Sequence, residues 1–387
     1  MTVRRDLPLG EPTELAQLLR SRIRDGGGWM RFDDFMRASL YEPGLGYYTG
    51  PSRIFGRQAG DGSDFVTAPE LSPLFGHALA RQVAQVLAES APHVMEFGAG
   101  SGRLAADLLL ALGDACADYA IVELSANLRE TQQATVLRAA PQHAHKLRWL
   151  DALPGRFEGC VIGNEVLDAI PVRLIERGAG GWLERGVVNV DAALESGLRF
   201  AFATVPASPS LRAAIHERIP EADSLPVGYL TELAEEAPAM VATLAEVIVK
   251  GAAIFVDYGF PQAEYFHPQR NGGTLMCHRG HLADTDPLVH VGAKDITAHV
   301  DFTSIALAGQ DAGFDVAGYT SQGRFLLNCG IASVMESAEW KTRIAAQPLI
   351  VEHEMGELFK AIAFTKGIHP MTAPLIGFLA GDRTHTL

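Results

Sequence analysis

Apolar residues along this chain recur in two rhythms. Short apolar runs that end in polar residues or glycine alternate with longer stretches whose apolar positions fall three and four apart. The runs are His93 to Phe97, Tyr119 to Glu123, Leu147 to Leu150, Gly159 to Pro171 (turning polar at Asn164), Ala252 to Tyr258, Phe314 to Ser321 and Glu357 to Thr365. Helical spacing marks the stretches between them. Examples are Leu74, Ala78, Gln82 and Val86 after Pro73, and Leu104, Leu108 and Leu112 after Gly102. This alternation predicts a largely parallel sheet of seven strands with helices on both faces and an antiparallel strand at its end.

Outside that rhythm the texture changes. Leu15, Leu18, Leu19 and Ile23 share a helical face with Pro12 and Thr13 as start signals, and a second short helix runs from Phe32 to Leu40. Tyr41 to Asp64 reads as a long loop dense in Gly, Pro and Tyr, holding Ile54 to Gln58. Glycine-punctuated alternation over Val172 to Val205 predicts β-hairpins outside the main sheet. Helices are expected over Leu211 to Ile219, from Pro226 through Leu233 to Ile248, from Asp295 through Asp301 to Ala312, and around Phe325 to Met335. Gly259 to His299 reads as a second long loop. The division that follows is an extension over residues 1–72 and a main domain over 73–387, with insertions at about 172–225 and 260–299.

Charge and cysteine content narrow the function. With 387 residues and a formal charge of −14, the chain can bury a large core and has no sustained Lys/Arg run for nucleic acid. Cationic partners suit it better. Cys116, Cys160, Cys277 and Cys329 are too far apart for a zinc knuckle or a disulfide framework, which points to a reducing compartment. Met1 to Gly10 has no apolar signal core, and no window approaches the roughly 18 apolar residues of a membrane span. The expectation is a cytoplasmic protein with no membrane insertion. Cys277, His278, His281, His290 and His299 raise a metal site, but their spacing matches no common zinc pattern, and no metal is expected.

The densest chemistry follows the first apolar run. Glu96 precedes Gly98, Gly100 and Gly102, the glycines open a helix, and the next run ends in Glu123. Strand, glycine turn and helix make a nucleotide-type site, and an acid about 20 residues on suits a ribose diol. A dinucleotide motif would read G-x-G-x-x-G; here the glycines alternate and Arg103 follows Gly102, so an NAD-dependent oxidoreductase is the weaker reading. S-adenosylmethionine has no pyrophosphate, and its cationic methionine end suits Glu96. Its expected contacts are Glu96, Gly98, Gly100, Gly102, Glu123, Leu124, Asn164 and Thr67. A ligand-free glycine turn, Asn164 as a turn residue and Asp168 as a helix cap are the plainer alternatives.

Five blocks together, Tyr41 to Tyr48, Asp64 to Ser72, Glu96 to Gly102, Gly163 to Val172 and Asp295 to Thr303, resemble the MidA family of class I methyltransferases over nearly the whole chain. The resemblance implies a Rossmann-like fold and S-adenosyl-L-methionine as cofactor. It also implies symmetric dimethylation of arginine in a protein substrate, such as a respiratory complex I subunit, as for relatives of the mitochondrial matrix. A homodimer is left open. An assembly chaperone that keeps the fold without turnover is the rival. For an arginine target, carboxylates must hold the protonated guanidinium, and Glu165 and Asp168 are the first candidates, with Glu70, Glu232 and Asp301 in reserve. The paired-glutamate hairpin of better-known arginine methyltransferases is not found in its usual form.

Overall fold

The computed structural model describes residues 13–50, 67–190, 199–280, 282–368 and 374–387. Met1 to Gly10, Ile54 to Gln58, Asp64 to Val66 and His281 lie outside them.

The central sheet takes its strands from the apolar runs: β1 (His93–Phe97), β2 (Asp118–Val122), β3 (Leu147–Leu150), β4 (Phe157–Asn164), β5 (Ile248–Phe260), β6 (Asp315–Ser321) and β7 (Phe359–Lys366). Their order is β6-β7-β5-β4-β1-β2-β3, with β1 to β5 parallel and β7 antiparallel to both of its neighbours. The antiparallel strand is therefore not at the edge, which belongs to β6. Val300–Asp301 adds an eighth short strand alongside the end of β5.

Period-two alternation assigns side chains to the two faces. Val94, Ile121, Ile162 and Ile254 enter a core with helices α3 (Pro73–Glu89) and α4 (Arg103–Leu112). Met95, Ala120, Val161 and Phe255 enter another with α6 (Glu236–Val247) and α7 (Phe302–Asp311). Both faces are covered, as a parallel sheet requires.

Helices α1 (Glu14–Asp25) and α2 (Phe32–Tyr41) precede this unit, and the Thr13 side chain caps the first by accepting from the Ala16 amide at 3.1 Å. They pack on an antiparallel sheet of Met30–Arg31, Arg173–Gly178, Gly181–Val190, Arg199–Pro206 and Leu230–Leu233. The hairpins expected after Val172 form most of it. Leu230–Leu233 is a strand rather than the start of a helix, because it hydrogen-bonds along Arg173 to Glu176; α6 begins only at Glu236. The expected long loop over 259–299 contains a helical turn, Gln262–Tyr265, and a three-stranded sheet of Met276–Arg279, Leu282–Asp284 and Asp295–Thr297. Asp295 thus starts a strand, and α7 begins later at Phe302, capped by Asp301 accepting from the Ser304 amide at 3.3 Å.

Phe255 sits fully buried on the central β5, flanked by β4 and β7. Phe255→Ala is expected to cost about 3–5 kcal/mol, read as a lowered urea midpoint at an unchanged m-value.

Candidate active site at the carboxyl ends of the strands

A cavity of about 370 Å³ opens beyond the carboxyl ends of β1, β2 and β4, where ligands of open α/β sheets bind. Its lining includes Thr67, Glu96, Gly98, Gly100, Glu123, Leu124, Asn164, Glu165 and Asp168, which the fold gathers from four separate segments. Gly102 does not line it. Its φ is +80°, and a Cβ there would stand 2.8 Å from the Gln132 Cα, so this glycine lets α4 approach helix α5 (Ala126–Ala139).

Glu96 is buried in β1 and accepts a 2.7 Å hydrogen bond from the Tyr119 hydroxyl. Burial outweighs that bond and raises its carboxyl to about 8. Glu123 ends the second run, accepting from the Ser125 amide at 2.8 Å and the Gln132 side chain at 3.3 Å. Burial raises this carboxyl too. Gln132, fully buried in α5, also donates to the Gly100 carbonyl at 3.2 Å and accepts from the Trp149 indole at 2.8 Å. It ties the glycine turn to the distal acid. A glutamine in mid-helix carries no sequence signal of such a role.

The loop after β4 is held from β5. Asp257 Oδ2 accepts from the amides of Val166, Leu167 and Asp168 at 3.1, 2.8 and 3.3 Å. Glu165 takes a left-handed φ of +53°, and its amide donates to the Val256 carbonyl at 2.9 Å. Its carboxyl accepts from the Asn164 side chain at 3.0 Å and from the Ala68 amide at 3.3 Å. Burial first, and the neighbouring charge of Asp168 second, push it up to about 8. Asp168 is raised to about 6 by burial, against a hydrogen bond donated by the Tyr258 hydroxyl. Among the described residues Asn164 Oδ1 and Asp168 Oδ1 have no side-chain or amide donor at hydrogen-bond distance, and both atoms are shut off from the cavity space.

The sequence corroborates the geometry. Residues 78–320 match the family described as "Putative S-adenosyl-L-methionine-dependent methyltransferase". The chain belongs to this family. A Burkholderia thailandensis protein described as a "likely methyl transferase", crystallised with S-adenosyl-homocysteine, is 49% identical with a TM-score of 0.91, each chain covered in full. The mitochondrial protein arginine methyltransferase NDUFAF7 homolog of Drosophila melanogaster is 28% identical, covering 94% of this chain and 88% of its own length. Its Danio rerio counterpart is 29% identical over 78% of this chain and 74% of its own.

This methyltransferase takes S-adenosyl-L-methionine as its cofactor, and the residues present fit that ligand. The glycine turn lines the cavity with backbone, Glu123 offers a carboxylate at the end of β2, Val122, Leu124 and Leu128 add apolar surface beside it, and the Glu96 carboxyl, with no cation of the described residues acting on it, would suit a positive group. Of the reserve acids, Glu70 lines the cavity and accepts from the Ser101 hydroxyl. Glu232 does not. It accepts from the Thr274 amide, the Thr274 hydroxyl and the Leu275 amide at 2.9, 3.0 and 3.1 Å, and pins the insertion instead. Asp301 is the cap of α7. Among the described residues no group of three or more His, Cys, Asp or Glu could hold a metal, and no helix is long and apolar enough to cross a membrane.

Gly100 has a φ of +50° and faces the cavity. Gly100→Val is expected to abolish S-adenosyl-homocysteine binding in calorimetry, whereas Gly102→Val, whose clash is with the α5 backbone, lowers the melting temperature first. A pH dependence follows from Glu96 and Glu165. Each keeps its proton to about pH 8 in the fold but only through the usual carboxylate range when unfolded. The native state binds more protons between those limits, so stability declines as pH rises. The ligand-free protein is expected to melt lower at about pH 8.5 than at about pH 6.5, and Glu96→Gln to flatten that slope.

Proposed function

We propose that this methyltransferase modifies arginine side chains of a partner protein. The observation that carries the reading is the pair of acids Asp168, buried, and Glu165, half-buried, which line the cavity together. A guanidinium brings five N–H donors and a permanent charge, which suits a pair of carboxylates. The names of the Drosophila and Danio relatives support the same class.

When bound, the cofactor supplies an electrophilic methyl group on a sulfonium. The protein's part is alignment and exclusion of water. Glu165 and Asp168 hold two edges of the guanidinium and turn the remaining nitrogen toward the methyl group. The nitrogen–carbon bond forms as the carbon–sulfur bond breaks, and one guanidinium proton leaves to a carboxylate. Asp168, with its carboxyl near 6, is ionised at neutral pH and suited to take it. The Tyr258 hydroxyl keeps Asp168 oriented. Symmetric dimethylation is a second round of the same step, and the sequence resemblance makes a respiratory complex I subunit the first target to test.

The test incubates the purified protein and isotopically labelled cofactor with the proteome of a strain lacking it. Labelled methylarginine in mass spectrometry is the expected product; labelled methyllysine, or no labelled protein, would sink the reading. Glu165→Gln and Asp168→Asn are expected to bind S-adenosyl-homocysteine as before and to lose transfer by on the order of 100-fold.

A further inference from the structure

Helix α5 turns one face toward Glu123. Ser125 at its N-cap, then Arg129 and Gln132, stand four and three residues apart, so they share that face. All three reach the acid. The Ser125 amide donates to its Oε1 at 2.8 Å, the Arg129 Nε to its carbonyl at 2.8 Å, and the Gln132 Nε2 to its Oε2 at 3.3 Å. Both carboxylate oxygens and the backbone of Glu123 are therefore fixed from a single helix.

Gln132 does more than its neighbours. It is fully buried and does not line the cavity, yet its Nε2 also donates to the Gly100 carbonyl at 3.2 Å, and its Oε1 accepts from the Trp149 indole at 2.8 Å. These partners settle which way the carboxamide faces, because an indole N–H requires the oxygen while a carbonyl and a carboxylate require the NH2. One side chain thus joins the turn after β1, the acid after β2 and strand β3. Two of its partners, Gly100 and Glu123, line the cavity. The reach depends on Gly102, since a Cβ there would stand 2.8 Å from the Gln132 Cα and 3.1 Å from its Cβ. A side chain at 102 pushes α5 away and draws the carboxamide off the turn.

We infer that Gln132 is a positioning residue for the cofactor: from behind the cavity it holds the Glu123 carboxylate that meets the ribose and the Gly100 carbonyl beside it, and Gly102 acts through it by admitting α5. The inference does not depend on which side chain of the target is methylated; it rests on Glu123 meeting the ribose. Without Gln132 the carboxylate keeps Ser125 on one oxygen and gains rotational freedom, and the cost of ordering it again falls on the ligand. The ribose hydroxyls lose most, because a hydrogen bond to a charged acceptor depends on its direction.

The test measures, by calorimetry on the full-length protein, binding of S-adenosyl-homocysteine and of its 2′-deoxy and 3′-deoxy counterparts. The wild type is expected to prefer the parent ligand by about tenfold or more, and Glu123→Gln to lower that preference. Gln132→Met fills the same space without donors. It is expected to reduce the preference to about threefold or less while binding the deoxy ligands nearly as the wild type does. Gln132→Asn withdraws the carboxamide by one methylene and decides the matter if the methionine variant does not fold. In the Glu123→Gln background, Gln132→Met is expected to change the preference no further. A preference kept at its wild-type value in the Gln132 variants, or an equal weakening of all three ligands, overturns the positioning role and leaves Glu123 at the ribose. A wild type that binds the three ligands alike, or a preference that survives Glu123→Gln, overturns the place of Glu123 and the inference with it.

Discussion

The site depends on one carboxylate that stands behind the cavity lining. Asp257 Oδ2 gathers three successive amides of the loop after β4, and the adjoining Val256 carbonyl accepts from the Glu165 amide. A left-handed backbone costs a residue with a side chain about 1–2 kcal/mol, and Glu165 holds one. The loop persists in that shape because four hydrogen bonds from the neighbouring strand determine it. Without them Asn164, Glu165 and Asp168 have no reason to face one cavity. The register of β4 on β5, Gly163 to Phe255 and Asn164 to Val256, sets where those bonds begin.

This arrangement explains which parts were legible in the sequence. Apolar runs such as Ala252 to Val256 fix their own secondary structure, since a doubly covered strand has little room for polar side chains. The glycine turn and Glu123 announce themselves through local spacing. Leu230–Leu233 was misread as helix because its partner, Arg173 to Glu176, lies far away in the chain, and pairing of that kind overrides local pattern. The same holds for Asp295, hidden in a segment read as the start of a helix. Gln132 acts through side-chain hydrogen bonds with Gly100, Glu123 and Trp149, and Tyr258 through one to Asp168, and no periodicity records those. Gly102 misled in the opposite direction. Its spacing matches a ligand turn, while its missing Cβ serves the contact with α5.

The buried acids carry a cost that a binding site can use. Glu96 and Glu165 stay protonated near neutral pH because burial opposes their charge and no cation among the described residues offsets it. A cationic ligand reverses that balance. Each positive group entering the cavity favours ionisation of an acid around it, and the attraction is strong because water is excluded. Selection for charge is therefore built into the empty protein, and a neutral ligand of the same shape does not gain from it. The overall charge of −14 adds a weaker, longer-ranged bias in the same direction.

The cavity wall has two origins. One part is made from the sheet itself: β1, β2, the glycine turn and the loop after β4. The other is assembled from additions to that sheet. Tyr41 ends α2, Tyr48 follows it, and Asp295 belongs to the small sheet inserted before α7. Those additions share one core, in which Leu15, Phe35 and Tyr47 pack with Leu174, Cys277 and Ile296. A wall built this way is as rigid as the core behind it, so the hydrogen bond from the Tyr48 hydroxyl to Asp295 is held by packing remote from the reaction. The glycine turn has its own support, the Gln132 side chain donating to the Gly100 carbonyl from α5, and so does not depend on that core.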